Sequence, residues 1–224
     1  MGNYEYLIDT MIKITSEAGV PLLSEDEIRS ATQSRSVLIR SLAAQSLAYY
    51  PTDFAEPLLL KLIADKNADV RSGAAIGMEQ CRSSQAAIDA LQTAFLNDPD
   101  PLVRGYSGDA LLALAHEQPT VVGMVKSILT KERNSFTRAI CYGRLYKHLH
   151  QEEFLDQLLR CLKSKKYQTR CAVCNTLCEV LEDMEKRALI KVIKVLDTFF
   201  EKETVPAVKS SIQNAQKYAR SFLK

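Results

Sequence analysis

Glycine, proline and tryptophan are scarce in this sequence of 224 residues, which contains eight glycines, seven prolines and no tryptophan. So little glycine and proline excludes a collagen-like chain, a low-complexity tail and an all-β protein with a tight turn every ten or so residues. Alternating β-branched residues, the pattern of a half-buried strand, are nearly absent as well. The composition is 46% hydrophobic and 25% charged, which is typical of a globular protein with a sizeable core.

Long apolar runs are also missing. No stretch approaches the roughly 18 residues that a membrane-spanning helix needs. The first six residues, MGNYEY, lack the basic segment of a signal peptide. We therefore expect a cytoplasmic protein without membrane contact, in which the six cysteines are reduced thiols rather than disulfides.

The strongest positive signal is an internal repeat, in which a cationic residue opens each of six segments with helical periodicity. These residues are Arg40, Arg71, Arg104, Arg138, Arg170 and Lys209, at spacings of 31, 33, 34, 32 and 39. Seven positions after each arginine stands a large apolar residue, as a buried helix face requires. These residues are Leu47, Met78, Leu111, Leu145 and Leu177. Gln216 takes that place in the sixth segment, which predicts a terminal unit that faces solvent.

A second set of amphipathic helices is predicted between these segments. We place it at about 53–65, 84–96, 119–131, 151–164 and 184–202, after two N-terminal helices at about 4–17 and 24–33. The chain therefore reads as stacked helix pairs in a single domain over 1–224. Within it, 1–34 would form N-terminal capping helices, 35–203 the repeats, and 204–224 a C-terminal capping helix.

Two segments carry a family resemblance. Residues 98–104 read DPDPLVR and residues 67–71 read NADVR, each followed by small residues. Both are similar to the short HEAT-like repeat that is named after phycobilisome lyases, and the similarity extends over about 35–215. The resemblance implies an all-α, right-handed α-solenoid of about six HEAT-like helix pairs, whose second helices line the concave face.

The arginine series has a structural interpretation in such a stack, because a guanidinium makes several planar hydrogen bonds to loop carboxylates or carbonyls. Asp69 and Asp98 or Asp100 are the natural acceptors for Arg71 and Arg104. The alternative is a basic stripe that contacts phosphates, but the same residue in every unit favours bracing.

The predicted inner face is small and weakly polar at the first and fifth positions after each arginine. Either a partner helix or extended peptide lies close to this face, or neighbouring helices press together there. Tyrosine adds contact area at low entropic cost. Our protein-binding candidates are Tyr106, Asp109, Tyr142, Tyr146 and Asn175.

These features favour a non-enzymatic scaffold or regulatory adaptor without a cofactor, which binds another protein on its concave face. Nucleic-acid binding is the alternative, because residues 1–122 carry 9 Lys/Arg against 16 Asp/Glu, whereas residues 123–224 carry 20 against 11. Arg187, Lys191 and Lys194 share one helical face in that basic half. Acidic residues interleaved with the cations of this half, Glu179, Glu182, Asp183 and Glu185, argue for a solvated surface instead.

An enzyme remains open as a third interpretation. A HEAT-like DNA glycosylase would use Asp109 with Tyr106 and Tyr142, but tryptophan is absent and the inner positions lack basic residues. His116-Glu117 is a single His-Glu pair, too few for the di-iron site of hydroxylases with similar repeats. No phosphate loop, nucleophile elbow or His-Glu-x-x-His segment is present.

One cysteine cluster deserves comparison with metal sites. Cys171, Cys174 and Cys178 lie on one helical stripe and are weak metal candidates, because a zinc or iron–sulfur site needs about four converging ligands. The simpler interpretation is that cysteine acts as a small buried hydrophobic residue here. We therefore predict no metal.

Overall fold

A computed structural model describes residues 2–82, 84–114 and 120–223. This part of the chain contains α-helices and short 3-10 turns but no β-strand, which confirms the all-α prediction. The helices are α1 (Gly2–Ser16), α2 (Glu25–Thr32), α3 (Val37–Ser46), α4 (Thr52–Leu62), α5 (Ala68–Gly77), α6 (Gln85–Asn97), α7 (Pro101–Ala113), α8 (Thr120–Leu129), α9 (Ser135–Leu149), α10 (Glu152–Arg160), α11 (Tyr167–Val180), α12 (Lys186–Lys202) and α13 (Pro206–Ser221). Among the described residues, none of these helices has the length and apolarity to cross a membrane.

Side-chain caps explain where many helices begin. Ser24 and Glu27 form a reciprocal capping box at α2, in which each satisfies a backbone N–H of the other. Asn67 accepts a hydrogen bond from the backbone of Asp69 at α5, and Asp100 accepts one from Leu102 at α7. Polar residues before these helices therefore set where they start.

Contacts divide the chain into two compact units, residues 1–121 and residues 122–224. In the first unit, α5 packs between α3 and α7, while α6 packs on α7. The predicted apolar positions Leu47, Met78 and Leu111 are fully buried there. The arginine-led helices therefore form the stacked layer of this unit, as the repeat predicts.

The second unit repeats this arrangement. Helix α11 packs between α9 and α13, α10 packs on α9, and α12 packs on α13. Leu145 and Leu177 are fully buried. The prediction that Gln216 faces solvent is wrong: it is 7% exposed, and its amide donates to Asp197 Oδ1 at 2.7 Å. A hydrogen bond to α12 thus takes the place of apolar packing.

Small residues let the arginine-led helices approach closely. A Cβ atom at Gly77 would lie 2.5 Å from the backbone oxygen of Ala44 on α3. A Cβ atom at Gly143 would overlap the methyl group of Thr176 on α11. At Gly143, a fifth position after an arginine, the small residue therefore serves helix packing, which is one of the two interpretations that the sequence left open.

Candidate functional site

The arginine series braces neighbouring repeats in the first unit. Arg40 Nε and Nη2 donate to the two carboxylate oxygens of Asp65 at 2.8 and 3.1 Å, and Nη1 donates to the Ser34 carbonyl at 2.8 Å. This bidentate pair is largely buried, with side-chain exposures of 10% and 14%. The planar guanidinium thus joins its own loop to the loop of the next repeat.

The next two arginines repeat this pattern of bonds. We call the series of arginine–carboxylate pairs a ladder and each pair a rung. Arg71 donates to the Asp98 carboxylate at 2.7 and 2.9 Å and to the Asp65 carbonyl at 2.9 Å. Arg104 in turn donates to the Asp98 carbonyl at 2.9 Å. Asp65 and Asp98 therefore each accept hydrogen bonds from two successive arginines.

Asp69 is not the acceptor for Arg71, and that part of the prediction is wrong. Its side chain lies in the first turn of α5, at an exposed position. The accepting carboxylate belongs instead to the loop of the following repeat, where Asp98 also accepts a hydrogen bond from the Asp100 backbone N–H at 2.9 Å. Such an acceptor fixes the loop and the guanidinium together.

The second unit keeps this bracing at Arg170, which donates to the Glu203 carboxylate at 2.7 and 3.0 Å and to the Ser164 carbonyl at 2.8 Å. Arg138 departs from the pattern. It donates to the Gln157 side chain at 3.2 Å, and its guanidinium lies 5.4 Å from the centre of the Tyr142 ring.

These bonds predict a dependence of stability on acid. Arg40 holds the pKa of the Asp65 carboxyl below its usual range, and Arg170 does the same for Glu203. A carboxyl whose pKa is lowered by folding stabilises the protein above its unfolded pKa of about 4, and that stabilisation is lost as the pH falls through the folded pKa. We therefore expect the urea concentration at the unfolding midpoint to decrease as the pH is lowered from about 5 to about 2.

Two variants at the first rung of the ladder sharpen this measurement. Asp65→Asn should have a lower midpoint at pH 7 and a flatter pH profile, since Asn cannot titrate. Asp53→Asn, at an exposed position without an ion pair to any described residue, should keep the profile of the parent protein. Identical profiles for both variants would contradict the assignment.

A groove crosses the arginine-led helices of the first unit and measures about 560 Å³. Its described lining comes from α3, α5 and α7. These residues are Val37, Leu38, Ser41, Gln45, Asp69, Ser72, Ile76, Leu102 and Tyr106. Leu38 is 54% exposed although it is large and apolar. The groove therefore presents an apolar surface with a single charged side chain among its described residues.

The groove contains one of the predicted binding residues, Tyr106, which is half-buried. Asp109 lies further along α7 and is buried. Sequence reasoning missed Leu38 and Leu102, which stand two positions before an arginine. Helical periodicity could have identified them, because the position two before each arginine lies on the same helical face as the first and fifth positions after it.

The remaining candidates lie in the second unit, and they differ in burial and in the contacts they make. Tyr142 stacks on Phe154 of α10, with ring centroids 6.3 Å apart. Tyr146 is 5% exposed and meets the His150 ring edge-on. Asn175 is exposed on α11. His116 and Glu117 lie outside the described residues.

The three cysteines of the stripe differ in burial, since Cys171 and Cys178 are half-buried. Cys174 is fully buried, and burial raises the pKa of its thiol to about 12. Burial also raises the pKa of Cys178. A raised pKa disfavours the thiolate that metals bind. Among the residues that the structure describes, no cluster of three or more His, Cys, Asp or Glu has an arrangement that would hold a metal ion.

The basic face of α12 is partly neutralised. Lys191 Nζ lies 2.8 Å from a Glu152 oxygen and 2.6 Å from an Asp156 oxygen, so both carboxylates come from α10. Of the three cations that the nucleic-acid hypothesis requires, the central one therefore holds two helices together. Arg187 and Lys194 remain exposed on either side.

Comparison with known proteins identifies the repeat type. A family model described as HEAT repeats matches residues 25–115. A search of curated proteins found no significant match. A solved structure of the CpcE and CpcF complex of phycocyanin lyase from Nostoc sp. PCC7120 has a TM-score of 0.44 and 14% identity, and the match covers 91% of this chain and 97% of that chain.

An engineered protein has a TM-score of 0.40 and 16% identity, with 89% of this chain and 98% of that chain covered. These structural similarities are too low to bear on function. The matched segment spans α2 to α7, the helices that carry the Arg40–Asp65 and Arg71–Asp98 rungs and the groove. The HEAT-repeat model thus matches residues 25–115 of this all-α chain, and within residues 122–224 the helices α9, α11 and α13 pack on one another in the same order as α3, α5 and α7 do.

Proposed function

We propose that this chain is a non-enzymatic scaffold or adaptor that binds a helix or an extended segment of another protein in the groove across α3, α5 and α7. The groove itself is the observation that supports this proposal, because three successive repeats contribute equivalent positions to one apolar surface. Exposed apolar surface that is contiguous and bordered by polar groups is typical of a binding site.

The composition of the groove favours a protein partner over a nucleic acid. Leu38, Leu102 and Tyr106 offer area for apolar side chains, and the half-buried amide of Gln45 offers hydrogen bonds to a peptide backbone. A phosphate backbone needs Lys or Arg, whereas Asp69 is the charged residue among the described lining.

Capture with matched variants tests the proposal. The tagged full chain is used to capture partners from lysate of its source organism after nuclease treatment, and the recovered proteins are quantified by mass spectrometry. Leu38→Asp places a charge in the groove and should reduce recovery of the specific partner at least about tenfold, because a charge buried against an apolar partner surface is unfavourable. Tyr106→Ala should reduce recovery of the same partner.

Leu96→Asp provides the control, because Leu96 is similarly exposed, at 49%, but lies on α6 outside the described groove lining. This variant should recover the partner at the level of the parent protein. Equal losses for Leu38→Asp and Leu96→Asp would contradict the groove assignment. Recovery of nucleic acid alone, when nuclease is omitted, would contradict the function.

A further inference from the structure

A second concave site lies in the unit of residues 122–224, at the turn from α9 into α10. It measures about 410 Å³, which is within the range of sites for small organic ligands. Leu155 and Ala188 form an apolar wall. The side chains around it are three carboxylates and two nitrogen bases, Glu152, Asp183, Glu185, Arg187 and His150. This pocket belongs to the other unit, so it is independent of the groove and of the function proposed for it.

Tyr146 contributes to the pocket a largely buried side chain whose hydroxyl has no protein partner among the described residues. The residue is 5% exposed and lines the pocket, but its hydroxyl makes no hydrogen bond to any described residue. Burial, followed by the nearby charges of Glu185 and Glu152, raises the pKa of Tyr146. A ligand in the pocket can therefore hydrogen-bond to this hydroxyl without displacing a protein partner.

The charges around the pocket are unevenly compensated. Glu152 already accepts a hydrogen bond from Lys191 at 2.8 Å, and the positive charge of Arg187 acts on the same carboxylate. Asp183 and Glu185, by contrast, form no ion pair with a described residue. An excess of negative charge therefore remains on the α11–α12 side of the pocket.

The geometry points to an organic cation rather than a metal ion. The carboxylates of the described residues do not converge as metal ligands would, and the apolar wall has no role in holding a bare ion. We propose that the pocket binds a primary ammonium group on an alkyl chain. Asp183 and Glu185 are its counter-ions. The Tyr146 oxygen accepts a hydrogen bond from one of its N–H groups. Leu155 and Ala188 contact the alkyl chain.

This chemistry has two sources, a lysine side chain of a partner protein and a free diamine or polyamine. Titration of the full chain, followed by the methyl NMR signals of Leu155 and Ala188, tests both. The probes are 1,5-diaminopentane, the tripeptide acetyl-Gly-Lys-Gly-amide and, as a neutral control, the same tripeptide with Nε-acetyl-lysine. Saturable shifts with the first two probes and none with the third are expected, and the tighter probe identifies the source.

Variants locate the binding site. Asp183→Asn and Glu185→Gln, both at exposed positions, should each raise the dissociation constant about tenfold, because a hydrogen bond to a charged group is lost. Tyr146→Phe should raise it about threefold. Glu182→Gln removes the same charge next to the pocket but outside its described lining, and should leave the constant unchanged.

Three results would overturn the proposal. The first is the absence of saturable shifts with either amine. The second is equal binding of the acetylated tripeptide, which would show that the ammonium group is not recognised. The third is an equal effect of Glu182→Gln and Glu185→Gln, which would indicate general attraction between charges. Magnesium chloride, added as a further probe, should not compete with the amine at equal ionic strength, and specific competition would instead indicate a metal site.

Discussion

Replacing Asp98 with alanine is expected to lower the free energy of unfolding by about 3–5 kcal/mol, because it leaves the largely buried Arg71 guanidinium without its counter-ion. Both bonds of the bidentate pair are lost, together with the hydrogen bond that fixes the Asp100 backbone N–H. Urea unfolding followed by circular dichroism measures the change. The side chains of Arg71 and Asp98 are 14% and 9% exposed, so water replaces the lost bonds only in part.

Asp69→Ala is the matched control, because it removes a carboxylate two residues before Arg71 that does not pair with it. This substitution should cost less than about 1 kcal/mol, the usual contribution of an acidic residue in a first helical turn. If Asp69→Ala proved as damaging as Asp98→Ala, the ladder would not be the origin of the stability.

Gly77→Ala should destabilise the protein by about 3 kcal/mol, although the same exchange in an ordinary helix is stabilising. The added Cβ atom would lie 2.5 Å from the Ala44 oxygen and 2.6 Å from a methyl group of Leu59. The Leu59 side chain can move, but the Ala44 oxygen belongs to the backbone of α3. Helices α3 and α5 would therefore have to separate.

Gly123→Ala tests the reverse expectation with the same chemical change. Gly123 is exposed on α8, and nothing lies within 4 Å of a Cβ atom built there. Its replacement should raise the free energy of unfolding by about 1 kcal/mol, since alanine is the better helix former. A Gly77→Ala variant as stable as the parent protein would show that α3 and α5 are not tightly held.

The periodic features of the fold could be predicted from sequence because they are local. The arginine spacing predicts the stacked helices, and the seventh position after each arginine predicts Leu47 and Leu111 in the core. The acceptor of each arginine was harder to predict. Asp65 is 25 residues from Arg40 and Glu203 is 33 residues from Arg170, so loop geometry rather than spacing selects the carboxylate.

The candidate site was predicted less well because neighbouring positions on a helix point in very different directions, about 100° apart per residue. Tyr106 stands second after its arginine and reaches the groove, whereas Tyr142 stands fourth and stacks between helix layers. The pocket at Tyr146 depends on the α11–α12 loop, whose path no periodic pattern specifies. Residue type alone can therefore suggest that a tyrosine binds a partner, but it does not predict on which surface of the protein that tyrosine lies.

The double role of Asp65 and Asp98 has a consequence for how such a chain grows by gene duplication. Each of these residues accepts from the arginine of the preceding repeat through its carboxylate and from the arginine six positions later through its carbonyl. A segment that begins after one such aspartate and ends with the next carries one complete rung with it. Adding or removing a repeat with these aspartates as its boundaries would therefore leave no guanidinium without its carboxylate.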